Sequence, residues 1–146
     1  MGSVESNGGT NGNSTGHALP ETTKILRVGI IGIGEVAQSI HLPTLALLSH
    51  LFTVVAICDI SADALVHCSQ KFHVPRIYKS DEQLCADPEV DVVFILTSDE
   101  FHADQAVLAL KYNKHVLVEK PVSLSIAAAQ KMQEVERKSR GKVFVA

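Results

Sequence analysis

From Lys24 onward the chain alternates short apolar runs with amphipathic stretches. Ile25-Leu26-Arg27-Val28-Gly29-Ile30-Ile31 is almost continuously apolar and rich in β-branched residues, the pattern of a strand covered on both faces. Phe52–Cys58, Arg76–Tyr78, Val90–Leu96, Val116–Val118 and Val143–Val145 predict five more strands. Helices are expected between them. One follows the first strand and should be kinked or broken near His41-Leu42-Pro43, because proline cannot donate to the helical ladder. Ser61 stands at an N-cap ahead of Leu65, Val66, Ser69 and Phe72, which recur at helical spacing. Ser80-Asp81-Glu82-Gln83 has the form of a capping box. Ala103, Ala106, Val107 and Leu110 form a helical stripe. Leu124, Ala128, Met132 and Val135 line one face of a last helix, and Gly141 suits its C-terminal stop.

Buried strands alternating with amphipathic helices specify an α/β protein. Right-handed crossovers make the doubly wound parallel sheet, the Rossmann fold, its natural topology. Ligands of such sheets bind at the carboxyl ends of the strands, so the residues just after each strand carry the functional reading.

After the first strand comes Gly32-Ile33-Gly34-Glu35-Val36-Ala37, a G-x-G-x-x-A sequence. Gly32 permits the tight turn, Gly34 leaves no Cβ where a pyrophosphate must approach, and Ala37 is small enough for close helix–strand packing. The helix that begins there offers free N–H groups and a positive dipole end to phosphates. After the second strand stands Asp59, near the spacing at which an acidic residue accepts hydrogen bonds from the adenosine ribose hydroxyls. Its charge would repel a 2′-phosphate, and neither Ile60 nor Ser61 offers an arginine in compensation, so NAD is expected ahead of NADP. Thr97-Ser98-Asp99-Glu100-Phe101-His102 follows the fourth strand and Glu119-Lys120-Pro121 the fifth. A lysine on that rim can hold its charge beside a carbonyl or alkoxide and serve in proton transfer. Plainer roles stand beside these: a turn without ligand, Asp59 as an N-cap, and Glu119-Lys120 as a solvated pair.

Composition narrows the picture. The chain has 146 residues, a formal net charge of −3 and 46% hydrophobic residues, which suits one globular domain and leaves little room for a second. The slight acidity and the lack of a basic block argue against nucleic acid as the main partner. No apolar run approaches the roughly 18–20 residues of a membrane-spanning helix. Residues 2–16 are almost all Gly, Ser, Asn and Thr, so residues 1–22 are expected to be a disordered tail and 23–146 the nucleotide-binding domain. The N-terminus has no basic residue and no apolar core of a signal peptide. Cys58, Cys68 and Cys85 are odd in number and lack CxxC spacing, which points to reduced thiols in a cytoplasmic protein. The seven histidines, at positions 17, 41, 50, 67, 73, 102 and 115, form no zinc-site pattern, so no metal is expected. His41 lies near enough to the glycine turn to approach a cofactor, or to serve in packing or as a cap.

Together these segments resemble the Gfo/Idh/MocA family of oxidoreductases. The matching stretches include Val28–Gly34, His41-Leu42-Pro43, Ala56–Asp59, Asp91-Val92-Val93, His102-Ala103 and Lys114–Pro121, spread over about residues 25–146. Glu-Lys-Pro after a Lys-His-Val strand is the most specific of them. The resemblance implies hydride transfer between nicotinamide and a sugar, polyol or related carbonyl compound. It implies that Lys120 is catalytic, touching the substrate hydroxyl or the nicotinamide ribose and helping proton transfer. The implied cofactor-binding set begins with Gly32, Ile33, Gly34, Glu35, Val36 and Ala37. It continues with Asp59, Thr97, Asp99, His102, Glu119 and Lys120. One departure is that Ser98 and Asp99 stand where the family often has Pro-Asn, which removes the rigidity of proline and the amide donor of asparagine. Family members also continue into a second α/β domain that supplies substrate contacts and commonly the oligomer interface. Here the chain ends at Ala146 inside a strand, so that substrate domain is expected to be absent, and a homo-oligomer is expected only of a full-length form. Two other readings stand beside the enzyme: a non-catalytic nucleotide-binding regulator of the same fold, and a truncated inactive product.

Overall fold

A computed structural model describes residues 24–146. The tail expected over residues 1–22, with His17, lies outside the described residues. The elements run β1 (Leu26–Ile31), a π-helical turn (Ala37–His41) continuing into α1 (Leu42–Leu47), β2 (Phe52–Cys58), α2 (Ala62–Phe72), β3 (Arg76–Tyr78) and α3 (Asp81–Ala86). They continue with β4 (Val92–Ile95), a 3-10 turn (Asp99–Phe101), α4 (His102–Lys111), β5 (His115–Val118), α5 (Ile126–Lys138) and β6 (Val143–Val145).

The six strands form one parallel sheet in the order β3-β2-β1-β4-β5-β6. The chain steps outward from β1 to β3, then returns past β1 to lay down β4. The carboxyl ends of β1 and β4 therefore flank the switch point, where crossovers diverge and a crevice opens. Each strand shows one side chain row to each face. Val28, Ile30, Ile57, Val92 and Phe94 pack under α1 and α2, with Leu42, Leu45, Leu65 and Cys68. Ile31, Ala56, Val93, Ile95 and Val116 pack under α3, α4 and α5, with Leu84, Leu110 and Met132. Gly29 lets α3 sit close, because a Cβ there would lie 2.8 Å from Leu84 Cδ2.

The N-caps behave as their side chains predict. Ser61 Oγ accepts from Ala64 N–H and Ser80 Oγ from Gln83 N–H, each satisfying a donor that the first helical turn leaves open. Two expectations are corrected and one is narrowed. Of the kink or break expected near His41-Leu42-Pro43, the break does not occur, and the irregularity is a π turn: helical backbone runs on from Glu35, and Leu42 N–H reaches back five residues to Ala37 O. The widened π turn absorbs a residue that has no N–H and whose ring crowds the carbonyl four residues back. Leu124 is not on the last helix; it is exposed and precedes the Ser125 N-cap. Gly141 is not the left-handed stop of α5, which ends at Ser139 in an extended conformation. Gly141 instead lies against the Lys114 carbonyl, where a Cβ would collide with backbone.

Candidate functional site

At the switch point lies a cleft of about 510 Å³, in the size range of small-molecule sites. Gly32, Gly34, Glu35, Val36, Asp59 and Thr97 line it, so the candidate residues after β1, β2 and β4 converge on one cavity.

The two glycines do different things. Gly32 has φ +86°, and a Cβ there would fall 2.8 Å from the Leu96 carbonyl carbon and the Thr97 nitrogen. The turn thus needs glycine at Gly32 for its own geometry. At Gly34 a Cβ would meet nothing within 4 Å. No packing demand explains Gly34, so the open space beside it suits a group brought close to the backbone. Ile33 buries its side chain and Ala37 is fully buried under β1, so both shape the turn from below.

Asp59 fixes the mouth of the cleft. Its Oδ2 accepts from Ile33 N–H at 2.8 Å and its Oδ1 from Ser61 N–H at 2.8 Å. One carboxylate thereby ties the glycine turn to the end of β2. Each oxygen keeps a lone pair for a further donor, so recognition of a ribose diol is still open to it.

The far wall was not anticipated from sequence. Asp81 Oδ2 accepts from Gln105 Nε2 at 2.9 Å, Asp81 Oδ1 accepts from Cys58 Sγ at 3.6 Å, and Gln105 Oε1 accepts from Thr97 Oγ1 at 2.6 Å. This chain joins β2, α3, α4 and the end of β4. Burial, with Asp81 nearby, pushes the Cys58 thiol up to about 12, so it acts as a neutral donor rather than a nucleophile. Lys79 also lines the cleft and is its cationic side chain. Both Lys79 and Asp81 follow β3, a strand whose carboxyl end the rim rule covers as much as the others.

The β4–β5 side holds the remaining candidates. Asp99 opens the 3-10 turn and is exposed. His102 is buried, with Nδ1 2.8 Å from Pro121 O and Nε2 3.0 Å from Thr97 O. It therefore spans two loops of the rim from beneath instead of facing the cleft. Glu119 continues the β4–β5 ladder through its N–H to Ile95 O. Its Oε1 accepts from His41 Nε2 at 2.8 Å and its Oε2 from Lys120 N–H at 3.2 Å. The His41 hydrogen bond, opposed by partial burial, holds the Glu119 carboxyl below the usual carboxylate range. Lys120 is exposed, joined to Pro121 by a cis peptide, and in no ion pair among the described residues. The cleft lining includes neither Lys120, Glu119, His102 nor Asp99.

Comparison with known proteins agrees with this architecture. The sequence profile described as oxidoreductase family, NAD-binding Rossmann fold, matches residues 26–146. Inositol 2-dehydrogenase of Salmonella typhimurium is 40% identical over 115 residues, covering 78% of this chain and 34% of that protein. Scyllo-inositol dehydrogenase of Lactobacillus casei, solved with bound NAD(H) and scyllo-inositol, superposes with a TM-score of 0.78 at 26% identity, over 84% of this chain and 36% of that one. A 3-ketoreductase of Actinomadura kijaniata, solved as a mutant with NADP, gives 0.78 at 27% identity, over 84% and 37%. The chain spans about a third of the length of these relatives. It belongs to the Gfo/Idh/MocA oxidoreductase family and carries that family's nucleotide-binding Rossmann domain.

Proposed function

We propose that the cleft binds a nicotinamide dinucleotide, for hydride transfer between that cofactor and a polyol, a sugar or a related carbonyl compound. The observation that carries this is Gly34: a glycine held open at a helix start, facing the cleft, with no internal reason for lacking a side chain. The pyrophosphate would lie along Gly32–Val36, against the N–H groups from Gly34 onward and the positive end of the helix, since the Gly32 and Ile33 N–H groups are held by Cys58 O and Asp59 Oδ2. Asp59 would accept from the adenosine ribose, so the dinucleotide would run from β2 across β1 and β4 toward β5. Nicotinamide supplies a ring carbon that gives or takes a hydride. Thr97 and Asp99 would border its path. Glu119 and His102 would hold the loop that carries Lys120. The Lys120 ammonium would lie beside the substrate oxygen, donating a proton to a forming alkoxide or steadying the charge. Holding the substrate carbon against the nicotinamide supplies about 7–11 kcal/mol of a barrier in favourable cases, and the described residues form only the cofactor face of such an arrangement.

The Asp59 carboxylate supports NAD over NADP, because a 2′-phosphate would meet it. Lys79 supports the second reading, NADP, since a cation on the same lining could pair with that phosphate.

Titration of the chain with NADH is the test. Saturable binding is expected, and Gly34→Val should abolish it while leaving the fold intact, because the new side chain enters open space. Gly32→Ala should instead lower thermal stability. Parent-like NADH binding by Gly34→Val would remove the phosphate site from the glycine turn. Lys120→Ala should leave binding largely unchanged.

A further inference from the structure

We infer that His41 and Glu119 act as a positioning pair for Lys120, with His41 delivered by the π turn to orient the carboxylate that fixes the Lys120 peptide. The inference rests on the nucleotide-site reading above.

The geometry is a relay of short contacts. His41 closes the π turn, on the helix that begins at the glycine motif. Its ring meets Phe94 edge to face, with centroids 5.9 Å apart and planes at 86°, which fixes its plane against β4. So held, its Nε2–H donates to Glu119 Oε1 at 2.8 Å, with side chains only 13% and 22% exposed. Partial burial makes this contact stronger than a surface pair. The other carboxylate oxygen, Oε2, accepts from the amide of Lys120 itself. The Glu119 backbone is meanwhile pinned to Ile95 O. Beyond Lys120, Pro121 O is held by His102. Lys120 is thus a free, exposed side chain on a backbone gripped from both sides, by Glu119–His41 before it and His102 after it.

This arrangement suits a lysine that must meet a ligand atom at one place. A long flexible side chain gains precision only when its attachment is fixed, and misplacement by about 1 Å can cost about 100-fold in a reacting geometry. Packing alone does not call for it: an apolar pair would fill the same gap between the π turn and β5 with no charge to bury. The sheet order places this corner on the β5 side of the glycine turn, opposite Asp59, and so at the nicotinamide end of a dinucleotide anchored at Asp59.

The experiment measures acetylation of Lys120 by an N-hydroxysuccinimide ester, followed by peptide mass spectrometry, with saturating NAD+ or saturating ADP. In the parent chain NAD+ should slow modification of Lys120 and ADP should not, because only the former reaches past the pyrophosphate. His41→Leu should still bind both ligands, since the glycine turn and Asp59 are untouched, but should lose the NAD+ protection. His41→Gln, which keeps an N–H donor, should restore it. Glu119→Gln should lose part of it. Parent-like protection in His41→Leu, or no NAD+ protection in a parent chain that binds NAD+, would overturn the pair while leaving the nucleotide site standing. A parent chain that binds neither ligand would overturn the site and the pair with it.

Discussion

Asp59 and Lys79 set opposite charges on the lining of one cleft, and in the proposed nucleotide site the choice of cofactor would turn on which of them a 2′-substituent meets. Asp59 is committed by its two backbone hydrogen bonds, so its position is fixed by the turn it holds. Lys79 is exposed and free to move. Removing Lys79 should therefore change selectivity without changing the fold. Lys79→Ala is expected to weaken NADPH by about tenfold, the loss of one charge-assisted contact, and NADH by much less. Paired titrations check this; equal weakening for both would place Lys79 away from the 2′ position. Asp59→Ala is a poorer probe, because it also releases Ile33 and Ser61. The sequence showed Asp59 through its spacing from the glycine motif. Lys79 was not legible in the same way, because no motif fixes a residue after a three-residue strand.

Elements were legible where local chemistry dictates them, and less so where a distant contact does. The six strands and the serine caps follow from apolar runs and from hydroxyls that accept helix N–H groups. The π turn does not, since Pro43 signals only that a regular helix is impossible there; whether the helix breaks or widens is decided by packing of Leu42 and Leu45 under the sheet. His41 is the residue most affected. A histidine on an irregular turn had several uses open to it, and its link to Glu119, 78 residues away, is invisible without the fold. Gly141 was misread for a related reason: glycine after a helix suggests a left-handed stop, yet the requirement comes from the Lys114 carbonyl across the β5–β6 junction. Gly141→Ala is accordingly expected to cost about 2–3 kcal/mol, an overpacking penalty against backbone that cannot rotate away. Denaturant unfolding measures it. A neutral or stabilising result would show that the α5–β6 connection gives way easily.

At the scale of the whole molecule the two ends of the sheet carry different polar burdens. The carboxyl end keeps space and spare hydrogen-bonding capacity at the cleft. The amino end is closed by a saturated ionic cluster: Asp91 accepts from Arg27 Nε, Nη2 and N–H, all at 2.9 Å, and from Lys24 Nζ at 3.0 Å, while Arg27 also reaches Glu89 at 2.7 Å. This explains in physical terms why Asp91 stands at the head of β4, a place the apolar pattern alone would fill with another Val or Ile. The Arg27 hydrogen bonds hold the Asp91 carboxyl well below the usual carboxylate range. A carboxyl depressed in the folded state stabilises the fold above its unfolded value, about 3.9, and loses that contribution as pH falls through its folded value. Asp91→Asn should therefore lower neutral-pH stability by about 1–2 kcal/mol, allowing for partial solvent screening. The gap from the parent should be constant from pH 7 to about 5 and close as the solution is acidified further. NADH affinity should not change, because the cluster lies at the amino ends of β1 and β4, away from the cleft at their carboxyl ends. Thermal melts of both proteins from pH 7 to pH 3, with an NADH titration at pH 7, carry the test. A gap that stays open in acid would mean that the carboxylate charge is not what holds this end together. A loss of NADH affinity would mean that the two ends of the sheet are coupled.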